Sequence, residues 1–228
     1  ARFPMLSKKP FEVPPYLLEK ATHLPRCPMA VAGADNEIAL ESARQACDAG
    51  IITPVLVGDT DIIQSLAHVI GWDIADVEIV DQTGEEEIAD AVVSLAASGA
   101  TQSIMKGHVH TDALMRAVVQ RDSGLRTERR ISHVFHMTIP GRDKVLLITD
   151  GAVNVAPTVN TRMDIIRNAV DMAHALGNRE PKVAILSGAE VVNPSMPSSV
   201  EGAEIVERAR KGEIDGCLID GPFAFDLA

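Results

Sequence analysis

The stretch "MAVAGADNEIALESARQACDAGIITPVLVG", residues 29–58, decides the fold class. "MAVAG" (29–33) reads as a short buried strand closed by a glycine. From Asp35 the pattern changes: a capping residue, then Ile38, Ala39, Ser42, Ala43 and Ala46 on one helical face, with Gly50 as the stop. "PVLVG" (54–58) is a second strand. Strand, helix and strand in this order make one step of an α/β fold.

The rhythm continues downstream. "VEIVD" (77–81) is a third strand, reached through a moderately helical stretch. In "GEEEIADAVVSLAASG" (84–99), Glu85, Glu86 and Glu87 fall in a helix first turn, where the helix dipole favours acids. Ile88, Ala91, Val92 and Leu95 form its apolar stripe. "SIMKG" (103–107) is a fourth strand, followed by a helix from about Thr111 with Leu114, Ala117 and Val118 facing inward. Then the rhythm breaks. "RISHVFHMTIPGRDKVLLITD" (130–150) is two strand-like runs around Pro140-Gly141, a hairpin and not a further β/α step. A clear helix follows in "TVNTRMDIIRNAVDMAHALG" (158–177), with Ile166, Ala169, Val170, Ala173 and Leu176 on one face. "KVAILSG" (182–188), a helix near Ser198–Arg210 and "GCLIDG" (216–221) resume the alternation. Two α/β domains are expected: an N-terminal arm or linker over 1–27, a first domain over 28–137, and a second over 138–228.

Apolar residues make up 46% of the chain and aromatics 3%, so the core must be aliphatic. No apolar run reaches membrane-spanning length and the start has no signal-peptide core, which predicts a soluble cytoplasmic protein. Cys27, Cys47 and Cys217 lack the spacing of a disulfide framework or thiolate metal site. The net charge of −11 argues against nucleic acid as a partner. Between Thr101 and Leu147, however, eight Lys and Arg stand against four acids. One basic segment in an acidic protein suits a small anion better than a polyanion.

Ligands of open α/β sheets bind beyond the carboxyl ends of strands. Lys106-Gly107-His108 stands at one such end: Gly107 would let a ligand approach the backbone, and the helix from Thr111 would aim its N–H groups at the same spot. A solvated turn lysine is the alternative. Arg126, Arg129 and Arg130 offer an anion clamp, with Ser132 and His133 as shorter donors, or else a basic loop at a domain junction. Ser132 and His133 are adjacent on a strand and so point to opposite faces, which argues against a nucleophile–base pair. Asp150 and Asn154 could orient a ligand, accept a proton, or simply make a turn. Asp220-Gly221-Pro222 reads as a turn delivered by the strand Cys217–Ile219. Neither a Rossmann nor a Walker glycine pattern follows any strand, and no metal site is expected.

Taken together, "IMKGHVHTDALMRAVV", "GLRTERRISHVFHMTIPG", "LLITDGAVNVAPT", "DIIRNAVDMAHALG", "PKVAILSGAEVVNPSMPSS" and "IDGPFAFD" resemble the phosphate acetyltransferase/phosphate butyryltransferase family, nearer its butyryltransferase-like branch. The resemblance runs from about Pro28 to the last residue. It implies a two-domain fold with an interdomain cleft, like isocitrate and isopropylmalate dehydrogenases, and a homodimer. It also implies exchange of the acyl group of a short-chain acyl-CoA with inorganic phosphate, giving acyl phosphate and CoA with no tightly bound cofactor. On that reading Lys106 and Gly107 hold phosphate or the acyl carbonyl, and Arg126, Arg130, Ser132 and His133 line the same cleft. Asp150, Asn154 and Asp220-Gly221-Pro222 face it from the second domain. Some family members are fused behind a hydratase-like domain, of which the Pro-rich start could be a linker. Family members continue for several dozen residues past the "IDGPFAFD" match, through a Ser/Arg loop and a catalytic Asp. A truncated sequence, with the second domain incomplete at its C-terminus, is therefore what the resemblance implies. Two rival functions are a non-catalytic acyl-CoA-sensing domain and a metal- and NAD(P)-dependent dehydrogenase of the same fold.

Overall fold

A computed structural model describes residues 13–139 and 144–225; the expected Pro140-Gly141 turn lies outside the described residues. The chain forms two compact units, the first Val13–Thr127 and the second beginning at Glu128. The division falls ahead of the 137/138 boundary expected from sequence, because the second unit keeps both strands of the hairpin together. The expected arm is also partly structured. Helix α1 (Pro15–Thr22) lies within it, started by Pro14 and Pro15, where a missing N–H costs nothing.

In the first unit β1 (Cys27–Ala32), α2 (Glu37–Asp48), β2 (Ile52–Gly58), α3 (Thr60–Ile70), β3 (Glu78–Asp81), α4 (Glu85–Ala97), β4 (Ser103–Lys106) and α5 (Thr111–Val119) alternate. The four strands form one parallel sheet in the order β3-β2-β1-β4. Side chains of β1 alternate between two cores. Ala30 and Ala32 pack with Ile88 and Val92 of α4 and Leu114 of α5. Val31 packs with Leu40 and Ala43 of α2 and Ile63 of α3. A strand covered on both faces must be apolar throughout, which is why "MAVA" carries no polar alternation. Asn36 caps α2, its side chain accepting from Ile38 N and Ala39 N at 3.1 and 3.3 Å. That phase buries Ala39, Leu40 and Ala43 and leaves Ile38 exposed, a correction to the expected face.

The second unit holds β5 (Val134–Thr138), β6 (Val145–Thr149), α6 (Val159–Ala175), β7 (Lys182–Leu186), α7 (Pro197–Arg208) with a short π-helical continuation Ala209–Glu213, and β8 (Leu218–Phe223). β5 and β6 pair antiparallel, from Val134 opposite Thr149 to Thr138 opposite Val145. β7 and β8 pair in parallel. Met163, Ile166 and Val170 of α6 meet Ile185, Ile205 and Val206 in the core of this unit. Asp220-Gly221-Pro222 is not a turn after β8 but a stretch inside it, where the register against β7 slips between Ala184 and Leu186. Gly221 (φ +148°) allows the slip, since a Cβ there would stand 2.8 Å from both Cβ and the carbonyl oxygen of Ile185. No described helix is long and apolar enough to cross a membrane.

Candidate functional site

The antiparallel hairpin explains why residues distant in sequence meet. Pairing Val134 with Thr149 brings the segment before β5 beside the segment after β6. The Thr149 hydroxyl donates to the His133 carbonyl at 2.6 Å and ties the two together. Of the site residues expected from sequence, Arg130, Ser132, His133, Asp150 and Asn154 gather here.

Asp150 organises the loop that follows β6. Its carboxylate accepts from Ala152 N at 2.9 Å, Val153 N at 3.0 Å and Asn154 N at 3.2 Å, and from the Asn154 side-chain amide. Partial burial pushes the Asp150 carboxyl up, but the Val153, Ala152 and Asn154 donors together outweigh it and hold the group below its ordinary value. An anion with its lone pairs so occupied is a poor proton acceptor, and it acts as a turn-former. The Asn154 amide also donates to the Ile131 carbonyl at 3.0 Å, so one side chain joins the two arms of the site.

Helix α6 supplies the other support. Asp164, Asn168 and Asp171 recur at helical spacing along it, and each meets the 129–132 segment. Asp164 accepts from Arg130 N at 3.1 Å. The Asn168 amide donates to the Arg130 carbonyl and to Ser132 Oγ, both at 2.8 Å. Asp171 forms an ion pair with Arg129, which draws that guanidinium into structure rather than into an anion clamp. These three supporting residues escaped the sequence reading, which followed only the apolar face of α6; the polar i, i+4, i+7 spacing was the available signal. Ser132 Oγ thus turns toward α6, while the His133 ring lies edge-on to Phe135, centroids 4.0 Å apart, on the other face.

The remaining candidates belong to the first unit or to another strand of the second. Arg126 belongs to the first unit and is exposed. Lys106 and Gly107 are at the carboxyl end of β4, next to β1, where the strand order reverses. There the two loops close on each other: Gly107 N donates to the Ala32 carbonyl at 2.9 Å and His108 N to the Gly33 carbonyl at 3.2 Å. Lys106 Nζ donates to the Val109 carbonyl at 2.9 Å, tying the lysine to its own loop. The start of α5 is met by a carboxylate of this chain. Glu85 accepts from both the main-chain N and Nδ1 of His110, and the His110 backbone donor holds its carboxyl below the ordinary range. In the second unit Asp220 accepts from Gly221 N at 3.0 Å and from Arg210 at 3.4 Å, and Pro222 is buried beside Gly202. Among the described residues no three His, Cys, Asp or Glu side chains stand close enough to hold a metal ion.

Comparison with known proteins extends the geometry. The fold matches solved phosphotransacylases. A branched-chain phosphotransacylase from Enterococcus faecalis V583 superposes with a TM-score of 0.70 at 30% identity, covering 88% of this chain and 70% of that one. A phosphotransacetylase from Streptococcus pyogenes superposes with a TM-score of 0.76 at 19% identity, covering 92% and 71%, which speaks for the fold alone. Residues 92–228 match the family described as phosphate acetyl/butaryl transferase. The chain is 40% identical to a phosphate butyryltransferase of Clostridium acetobutylicum over 200 residues, 88% of this chain and 66% of that protein. It is 42% identical to a phosphate acetyltransferase of Rhizobium meliloti over 198 residues, 87% and 63%. This chain belongs to the phosphate acetyl/butyryltransferase family, as the resemblance implied. It spans just under two thirds of the length of those two relatives, 66% and 63%.

Proposed function

We propose that this chain acts in exchange of the acyl group of a short-chain acyl-CoA with inorganic phosphate, giving acyl phosphate and CoA. The observation that carries the reading is that the family match, 92–228, encloses the whole polar cluster at the open end of the hairpin. The reaction joins a phosphate oxygen to the thioester carbon and breaks the carbon–sulfur bond, so that CoA departs as thiolate and takes up a proton. Such chemistry needs an anion held in place and donors aimed at the oxygen where charge develops. In this reading the exposed Arg130 guanidinium binds phosphate, while Asp164 and Asn168 fix its backbone. The Asn168 amide occupies Ser132 Oγ as an acceptor and frees the Ser132 O–H to donate to substrate. Asp150 and Asn154 hold the facing loop. CoA and phosphate enter as substrates, and no resident cofactor is needed.

The same reading carries an isocitrate/isopropylmalate dehydrogenase-like two-domain architecture, supported by the division into two α/β units. It also carries a cytoplasmic homodimer. The test is product identification: butyryl-CoA and phosphate with the protein, trapped with hydroxylamine, should yield butyryl hydroxamate and free CoA in equal amounts, beyond the background that hydroxylamine gives with butyryl-CoA when protein or phosphate is left out. CoA without hydroxamate would mean simple thioester hydrolysis and would overturn the reading.

A further inference from the structure

His133 sits one step beyond the last pair of the hairpin, and its ring has two unlike nitrogens. Nδ1 is fully buried and meets no hydrogen-bond partner. Phe135 closes on the ring edge-on, at 4.0 Å and 74°. The residue as a whole is only half-buried, and Nε2, unlike Nδ1, is not a buried nitrogen left without a partner. A neutral imidazole carries one N–H and one lone pair, and the surroundings of each nitrogen decide which bears the proton. A buried N–H without an acceptor is among the rarest features of folded proteins. A proton on Nδ1 would create one here, and a doubly protonated ring would bury a charged donor as well. The surroundings therefore put the proton on Nε2 and the lone pair on Nδ1, where no substrate proton can reach it.

We propose that His133 serves the acyl-transfer reaction as a neutral Nε2–H donor to a substrate oxygen, the thioester carbonyl as it gains negative charge, and not as a base. This rests on the function proposed above. The buried Nδ1 then has a purpose: its desolvation fixes one tautomer without a partner carboxylate. It also follows that Ser132 is not activated by its neighbour, since Ser132 Oγ turns to Asn168 on the opposite face of the ribbon.

The experiment combines two readouts on the whole chain. Protein labelled with 15N-histidine, with His133→Gln to assign the ring signals, reports the tautomer directly, first alone and then with butyryl-CoA and no phosphate. The proton is expected on Nε2, and the Nε2–H signal should move when butyryl-CoA binds. Steady-state kinetics of three variants follow. His133→Gln keeps a donor near the Nε2 position and should lose no more than about tenfold in kcat. His133→Asn, with its donor at the Nδ1 position, and His133→Phe, with none, should lose about 100-fold or more in kcat with little change in KM. A proton on Nδ1, an Nε2–H signal indifferent to butyryl-CoA, or a His133→Phe variant with near wild-type kcat would each overturn the assignment. Should the unsubstituted chain fail to turn over butyryl-CoA, the functional reading falls, while tautomer and signal shift still decide the role of His133.

Discussion

Gly107 allows the account to be tested by a single methyl group. A Cβ at this position would lie 2.6 Å from the Ala32 carbonyl oxygen, 2.8 Å from Ala39 Cβ and 2.9 Å from the Gly33 carbonyl oxygen. Two of these neighbours are backbone, and both Ala32 and Gly33 are buried at the carboxyl end of β1, an inner strand of the sheet, so neither side can yield cheaply. The clash must open the 2.9 Å hydrogen bond from Gly107 N to Ala32 O. Overpacking costs about 1–3 kcal/mol and a weakened backbone hydrogen bond about 1 kcal/mol more. Gly107→Ala should therefore destabilise the first unit by roughly 2–4 kcal/mol. At roughly 4 °C per kcal/mol for a unit of this size, Tm should fall by about 8–16 °C. Urea denaturation followed by circular dichroism, alongside calorimetry, measures both quantities. Gly99→Ala is the control: its Cβ would meet nothing within 4 Å, and only its positive φ of +78° is strained, at about 1 kcal/mol. If Gly107→Ala matched the unsubstituted protein within about 0.5 kcal/mol, the close approach of β1 and β4 would not be what this glycine serves. Unchanged stability with lost turnover would instead return Gly107 to the ligand-contacting role suggested by sequence.

Three other outcomes are expected. Asn168→Ala removes donors to the Arg130 carbonyl and Ser132 Oγ and should cost about 1–2 kcal/mol in urea unfolding, with a fall in kcat larger than the change in KM. Asp150→Ala leaves three backbone N–H groups to water and should cost about 1 kcal/mol at pH 7, the loop being partly solvated. Because the Asp150 carboxyl titrates lower in the folded chain than in the unfolded one, its contribution is complete above the unfolded value, about 3.9. The stability gap between Asp150→Ala and the unsubstituted protein should accordingly narrow as pH falls below about 4 toward the lowered folded-state value, and a gap that does not narrow with falling pH would contradict the hydrogen-bonded carboxylate. Glu85→Gln should weaken the link between α4 and the start of α5, read as faster hydrogen exchange at His110 and Thr111 with the β1–β2 core unaffected.

The first unit was largely legible because its physics is local. Runs such as "MAVA" and "PVLVG" are buried on both faces, and α2, α3 and α4 stop at Gly50, Gly71 and Gly99. Ile38 was misread because helix phase depends on whether Asp35 or Asn36 supplies the cap, and composition does not distinguish them. Asp220-Gly221-Pro222 has the composition of a turn, yet it lies inside β8, because a strand slip against Ile185 is a tertiary fact. Family resemblance set Arg130, Ser132 and His133 across a cleft from Asp150 and Asn154; the antiparallel register of β5 and β6 instead gathers all five within the second unit. Asn168 was missed for the opposite reason: a polar residue on the outer face of an amphipathic helix looks solvated until its partner segment is placed. The Lys106-Gly107 loop reads as open in one dimension; in the fold Gly107 N and His108 N donate to the loop after β1, and the exposed Lys106 gives one donor to Val109, contacts set by the neighbouring strand and not by local sequence.

The most direct test of the central claim is CoA thiol release by this chain from butyryl-CoA and from acetyl-CoA, each with and without inorganic phosphate. The account predicts release that requires phosphate and saturates with it, and that falls sharply in Asn168→Ala. Release indifferent to phosphate would mean thioester hydrolysis, and no release while acyl-CoA still raises Tm would leave a domain that only binds acyl-CoA; either result would contradict an acyltransferase.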